Sequence, residues 1–248
     1  MKNIVNNKFY DEAWESWGDM IKYSPAPRHR RRIIIKLLDQ LSFDSILDVG
    51  CGSGLMVSMF KNKYDIKIAG IDISEKIIEQ NRIHFPGIEF YNVDISKSYI
   101  PKTFDCVLAS EVIEHIDDYK LALINLTKMT NKYIIITVPS CPLFETDKNV
   151  GHLHHFNEDG LDKLTEILKS ENFRVLTVNR WGYPFFNLYK HLINGFGSNG
   201  IQKKFLDEKK YGLVQKIISE VLYQLFFLNL NNTPKGYQLI ILAERKDD

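Results

Sequence analysis

Residues 46–54 read ILDVGCGSG. An apolar run ends in three alternating glycines, Gly50, Gly52 and Gly54, and Asp48 stands two positions ahead of the first. Glycines that close a strand and open a helix let the main chain approach a ligand and aim free N–H groups at it. The dinucleotide pattern G-x-G-x-x-G needs a glycine at position 55, which is Leu55 here. A carboxylate at the loop entrance repels phosphate and attracts an ammonium group. The loop therefore fits a ligand with a cationic end better than it fits a pyrophosphate.

Outward from this loop, short β-branched runs alternate with amphipathic segments. SILDV (45–49), IKIAGI (66–71), IEFYNV (88–93), FDCVLA (104–109) and YIIITV (133–138) read as strands covered on both faces. Between them, SEKIIEQNRIHF (74–85), with Ser74 as cap, and DDYKLALINLTKM (117–129) read as helices. A further helix begins after Asn157, followed by strands FRVLTV (173–178) and YQLIILAE (237–244). This order predicts an α/β, doubly wound, seven-stranded and mostly parallel sheet. Residues 1–42 add an aromatic arm (Tyr10, Trp14, Trp17) and a helix beginning near Pro27, and residues 181–235 add an aromatic, helical insertion. All are read as parts of one domain.

Two more acids fall at strand ends. Asp72 closes IAGID and Asp94 lies in NVDIS, so with Asp48 three carboxylates line the crevice at the carboxyl edge of the sheet. Asp72 is placed to accept ribose hydroxyls and Asp94 an exocyclic amine, with Ile73 and Ile95 as apolar walls. Composition excludes other classes. Lys plus Arg is 32 against 31 Asp plus Glu, which gives no global drive toward nucleic acid. Three scattered cysteines imply no disulfide framework, and no stretch approaches the roughly 20 apolar residues of a membrane span. The expectation is a soluble, cytoplasmic protein.

ILDVGCGSG, IAGIDIS, NVDI and FDCVLASEVIEHI closely resemble the ordered motifs of class I S-adenosylmethionine-dependent methyltransferases, over about residues 30–180 and the last strand. The resemblance implies a Rossmann-like fold whose last strand is antiparallel, with S-adenosylmethionine as cofactor. It implies that the glycine loop (Gly50, Cys51, Gly52, Gly54) and Asp48 hold the methionine part, Asp72 the ribose and Asp94 the adenine, with Ile73 and Ile95 beside the adenine and Ser110 closing the set.

In SEVIEHI (110–116), Glu111, Glu114 and His115 share one side of a helical turn if the segment is helical. With a histidine from GHLHHF (151–156) they make a candidate divalent-cation site (Mg, Mn or Zn) of Glu111, Glu114, His115 and His154, with His152 and His155 as substitutes. That pattern resembles ubiquinone-pathway O-methyltransferases and RNA 3′-terminal 2′-O-methyltransferases, both of which act on paired oxygens. Without a metal, His115 or His154 is the candidate catalytic base.

The run RHRRR (28–32) is read as the solvated face of a helix rather than an RNA-binding patch. Phe185, Phe186, Tyr189 and Phe196 are read as lining an acceptor pocket, and the arm with Trp14, Trp17 and Tyr23 as a lid. The expected partner is a small-molecule oxygen acceptor, with peripheral membrane contact through the 181–235 segment as a further reading. The alternatives are RNA 2′-O-methylation and a cofactor-binding subunit that does no chemistry.

Overall fold

Residues 45–49 alternate between two buried faces: Ile46 packs on one side, Leu47 and Val49 on the other. The same alternation runs through the neighbouring strands, so the sheet is sandwiched between two apolar layers. The computed structural model describes residues 9–11, 14, 17–195 and 210–246. The strands are β1 (Ser45–Val49), β2 (Lys67–Asp72), β3 (Glu89–Asn92), β4 (Phe104–Ser110), β5 (Thr130–Pro139), β6 (Phe173–Tyr183), β7 (Leu230–Asn231) and β8 (Gln238–Arg245). They form one sheet in the order β3-β2-β1-β4-β5-β8-β6-β7.

Strands β1 to β5 pair in parallel, and β8 enters antiparallel between β5 and β6. Seven strands agree with the sequence expectation. The eighth, β7, is a two-residue edge pairing antiparallel with β6, too short to carry a period that could be read. The chain runs outward from β1 to β3 and then returns to β4 beside β1. The crevice at the carboxyl ends of β1 and β4 is thus the switch point where folds of this class bind ligands.

One face is covered by the helices Tyr119–Lys128 and Glu158–Ser170 through Leu123, Leu126, Leu164 and Leu168. The other is covered by Pro25–Leu38, Leu55–Lys63 and Glu75–His84 through Ile34, Leu38, Val57, Phe60 and Ile78. Each such buried side chain stabilises the sandwich by about 1.5–3 kcal/mol. The expected caps are in place: Ser74 Oγ accepts from Ile77 N–H at 3.2 Å, and Asn157 Oδ1 from Gly160 N–H at 3.1 Å.

The 181–235 segment divides. Its first helix, Phe185–Gly195, covers the crevice as expected. The second, Leu213–Leu225, packs instead on Pro25–Leu38, lines none of the crevice, and turns Leu213, Val214, Ile217 and Val221 toward solvent. Among the described residues no helix is long and apolar enough to cross a membrane. Phe196 lies outside the described residues.

Candidate active site

The glycine loop turns where it does because Gly50, Gly52 and Gly54 all adopt positive φ, at 69°, 48° and 75°. The close approach it permits is first of all internal. A Cβ on Gly52 would sit 2.1 Å from Cη2 of Trp14, and one on Gly50 2.5 Å from Val112 Cγ2. Asp72 braces the loop, its Oδ2 accepting from Gly52 N–H and its Oδ1 from Ser74 N–H, both at 2.9 Å.

The strand-end acids meet one cavity of about 1060 Å³, lined also by Gly50, Cys51, Ile73, Ile95 and Ser110. Gly52 and Gly54 shape the loop from behind and do not line it. Asp48 is only 3% exposed; burial, then the neighbouring Asp72, pushes its carboxyl up to about 8. Burial likewise raises Asp72 to about 6, against the opposing bonds from Ser74 and Gly52. Asp94 is half-buried; burial opposes its ionisation, but the bonds from Lys97 and Ser96 outweigh it and hold its carboxyl below the ordinary range. A cationic group entering beside Asp48 and Asp72 would relieve two strained carboxylates at once.

A second cluster forms beyond the carboxyl end of β4. Ile113–His115 is a single 3-10 turn, and Glu111 lies outside it with φ of 57°. The helical turn expected to carry Glu111, Glu114 and His115 on one side is therefore absent. Glu111 turns instead to Arg30 (Oε2 to Nη1, 3.1 Å) and accepts from Thr137 Oγ1 at 3.0 Å. Glu114 is 0% exposed, and among the described residues neither of its oxygens has a hydrogen-bond partner. Burial, then Glu111, drives its carboxyl well above the usual range.

The histidine that joins Glu114 and His115 is His152, not His154. One ligand-type atom from each of Glu114, His115 and His152 lies within 4.8 Å of the others. The loop is clamped because Leu153 and His154 N–H both donate to the Glu114 carbonyl, at 2.8 and 3.1 Å, which turns His152 inward. His154 faces away, with Nε2 3.2 Å from the Asp117 carbonyl and its ring against Tyr119. His155 buttresses His152: its Nδ1 donates to the Cys141 carbonyl at 2.8 Å, so its Nε2 accepts from His152 Nδ1 at 2.9 Å. That leaves Nε2 of His152 as a bare lone pair. His115 bonds the Gly151 backbone and keeps an unpartnered Nδ1. Burial holds both rings neutral, with His115 lowered to about 4 and His152 lower still.

The arm closes over this region. Tyr10 and Trp17 line the cavity, Trp14 lies on Gly52, and Ser74 Oγ donates to the Asp11 carboxylate. Tyr23 departs from the expected lid and stacks on Tyr211. Phe186 and Tyr189 line the cavity as expected, whereas Phe185 packs behind it.

The arginines of 28–32 are not a solvated face. Arg28 pairs with Glu220 at 2.8 Å, Arg30 with Glu111, and Arg32 lies 3.3 Å over the Phe227 ring. The sequence offered no signal for these pairings, nor for the choice among three histidines, because each depends on distant segments meeting.

Residues 47–133 match the family described as Methyltransferase domain. The chain is 30% identical over 104 residues to the malonyl-[acyl-carrier protein] O-methyltransferase of Acetivibrio thermocellus, covering 39% of this chain and 37% of that one. It is 36% identical over 77 residues to a ubiquinone biosynthesis O-methyltransferase of Rhodopseudomonas palustris, covering 29% and 30%. These alignments span about a third of each relative's length. The fold is that of the magnesium protoporphyrin IX methyltransferase of Synechocystis PCC 6803 crystallised with S-adenosylhomocysteine, with a TM-score of 0.60, 14% identity and 99% of each chain covered. The matched stretch contains Asp48, Asp72, Asp94, Ser110 and the Glu111–His115 segment. His152 and the cavity-lining aromatics of the arm and of Phe185–Gly195 lie outside it.

Proposed function

We propose that this chain transfers a methyl group from S-adenosylmethionine to an oxygen of a small-molecule acceptor. In this reading the loop at Gly50 and Cys51 takes the amino-acid end of the cofactor and Asp48 its ammonium group. Asp72 takes the ribose hydroxyls, and Asp94, between Ile73 and Ile95, takes the adenine amine. Ser110 faces the middle of the cofactor.

The observation that carries the proposal is the shared cavity. The three strand-end acids, Phe186, Tyr189, Glu111 and His115 all line it, and in this reading the acids hold the sulfonium while the other residues hold the acceptor. Methyl transfer needs that alignment more than it needs chemistry from the protein. The names of the relatives, two of them O-methyltransferases, support oxygen as the acceptor atom.

The donor set of Glu114, His115 and His152 fits a divalent cation. It offers a buried carboxyl group with no partner among the described residues, which would give up its proton to an ion, and two neutral imidazoles whose N–H groups are spent on Gly151 and His155, so that one ring nitrogen of each keeps its lone pair. Such an ion would lower the pKa of an acceptor hydroxyl. His154 leaves the proposed ligand set and the proposed base role, since it does not line the cavity. Glu111 leaves the ligand set because it is held by Arg30 and Thr137. His115, which does line it, remains the candidate base when no ion is bound.

Calorimetry with S-adenosylhomocysteine tests the cofactor assignment, and absence of any heat would end it. Transfer of radiolabelled methyl from S-adenosylmethionine into small molecules of a cell extract tests the activity. Label found only in RNA or protein would replace the acceptor class, and binding without transfer would leave a non-catalytic subunit.

A further inference from the structure

The cations that border the cavity are mostly spoken for. Arg30 faces Glu111, Lys190 faces Asp147, Lys97 faces Asp94, and Lys148 is exposed to solvent. Arg31 differs. It lines the cavity from the helix Pro25–Leu38, yet among the described residues no carboxylate lies within ion-pair reach of it. Among the described residues its only hydrogen bonds are from Nη1 to the Ile21 carbonyl at 3.0 Å and from Nη2 to the Lys22 carbonyl at 3.3 Å.

Two carbonyls use two of the five guanidinium N–H groups and fix the plane of the fork, leaving three donors unused. Nearby charge makes the position worse rather than better: burial, then Arg30 and Arg28, push Arg31 down to about 10. Even a half-buried cation without a counter-charge is costly, and in a cavity wall the missing counter-charge is supplied by whatever enters. The wall around it is apolar: Met20, Ile21, Ala26 and Pro27 lie beside it, and Tyr189 reaches the same corner through its bond with Ser24.

We infer that the acceptor is an anion, an apolar or aromatic body bearing a carboxylate or a phosphate ester, and that Arg31 receives the anionic group. The inference rests on the proposed methyl transfer only in calling this molecule the acceptor. The oxyanion takes the free edge of a fork already oriented by the two carbonyls, and the body lies against Met20, Ile21 and Tyr189. The cavity then offers acids to the cationic cofactor and an arginine to the anionic acceptor. Arg31 is a specificity-determining residue in this account, not a catalytic one.

The test uses the full chain, with and without S-adenosylhomocysteine, and a panel of one- to three-ring aromatic acids and aryl phosphates. Each is compared with its own carboxamide or neutral ester by thermal shift and calorimetry. The expected result is that the best anions bind at least about tenfold more tightly than their neutral partners, as charge-assisted bonding to a partly desolvated arginine predicts. Arg31→Gln should erase that preference while the neutral partners bind as before, and Arg31→Lys should keep part of it. Comparing the acid and phosphate arms identifies the oxyanion. Equal binding of anion and neutral partner by the wild-type chain, no binding of any anion, or a preference that survives in Arg31→Gln overturns the inference. If Arg31→Gln does not fold, the wild-type preference and Arg31→Lys decide. Failure to bind S-adenosylhomocysteine would instead sink the cofactor assignment and leave the anion comparison readable on its own.

Discussion

The two parts of the cavity are built in different ways. The part near the glycine loop comes from strand ends that follow one another in the chain: Asp48 near the end of β1, Asp72 at the end of β2 and Asp94 just past β3. The part near Arg31 comes from the helix Pro25–Leu38 together with the loop around His152 and the helix Phe185–Gly195, both of which lie more than a hundred residues further along the chain. The first is fixed by local backbone geometry and the second by long-range packing. Damage to the first should be severe and local, while damage to the second should change what is bound.

The largest effect is expected at Gly52. Gly52→Val forces a β-branched residue into φ 48° and drives its side chain into Trp14. S-adenosylhomocysteine affinity should fall at least about a hundredfold, with a loss of roughly 2–4 kcal/mol in stability, read by calorimetry and denaturant titration. Near-normal affinity would show that the loop is not the seat of the cofactor.

Next is Glu114. Added Zn or Mn should raise the Tm of the wild-type chain, and chelator should reverse the rise. Glu114→Gln should weaken metal affinity by about 10- to 100-fold, yet leave the metal-free Tm unchanged or higher, because a buried acid without partners is replaced by a neutral amide. A Tm indifferent to every divalent ion would remove the cation site.

A moderate effect is expected from pH. Asp48 has its folded-state pKa raised to about 8, so the folded chain binds more protons than the unfolded one, and stability falls as pH rises toward 8. The lowered histidines give the opposite slope, but only below about pH 6.5, where the unfolded imidazoles titrate. Between pH 7 and 8 the ligand-free Tm should therefore decline, at up to about 1.4 kcal/mol per pH unit. S-adenosylhomocysteine should flatten the decline, since its ammonium group favours the ionised carboxylate. Thermal melts across that range, repeated on Asp48→Asn, check both. A flat wild-type profile breaks the assignment of Asp48 as a buried, cation-seeking group.

The smallest effect is expected at Trp14, which covers the loop without being part of it. Trp14→Ala should cost about 5- to 20-fold in cofactor affinity, mostly through faster dissociation, seen in stopped-flow fluorescence.

The same contrast explains what the sequence made legible. Glycines at fixed offsets, acids at strand ends and apolar strand periods are local signals, and they located β1 to β6, β8 and the acids facing the crevice. The choice of His152 over His154 is set by two backbone bonds to the Glu114 carbonyl, and the capture of Glu111 by Arg30 joins residues 81 positions apart. Neither leaves a trace in spacing. The basic run shows the limit clearly: its arginines read as solvated because helical periodicity says which residues share a face, not what packs against it.

Strand β8 has one more implication. It is made of residues 238–245, yet it lies in the interior of the sheet and joins β5 to β6 along both its edges. As the polypeptide leaves the ribosome, β1 to β5 can assemble, but the β5 edge then waits unpaired for about a hundred further residues. For that interval the nascent protein offers an apolar, hydrogen-bond-hungry border, and its acceptor wall has no support. Chaperone engagement should be concentrated there, and shortening the chain by the length of β8 should yield aggregates rather than a trimmed enzyme.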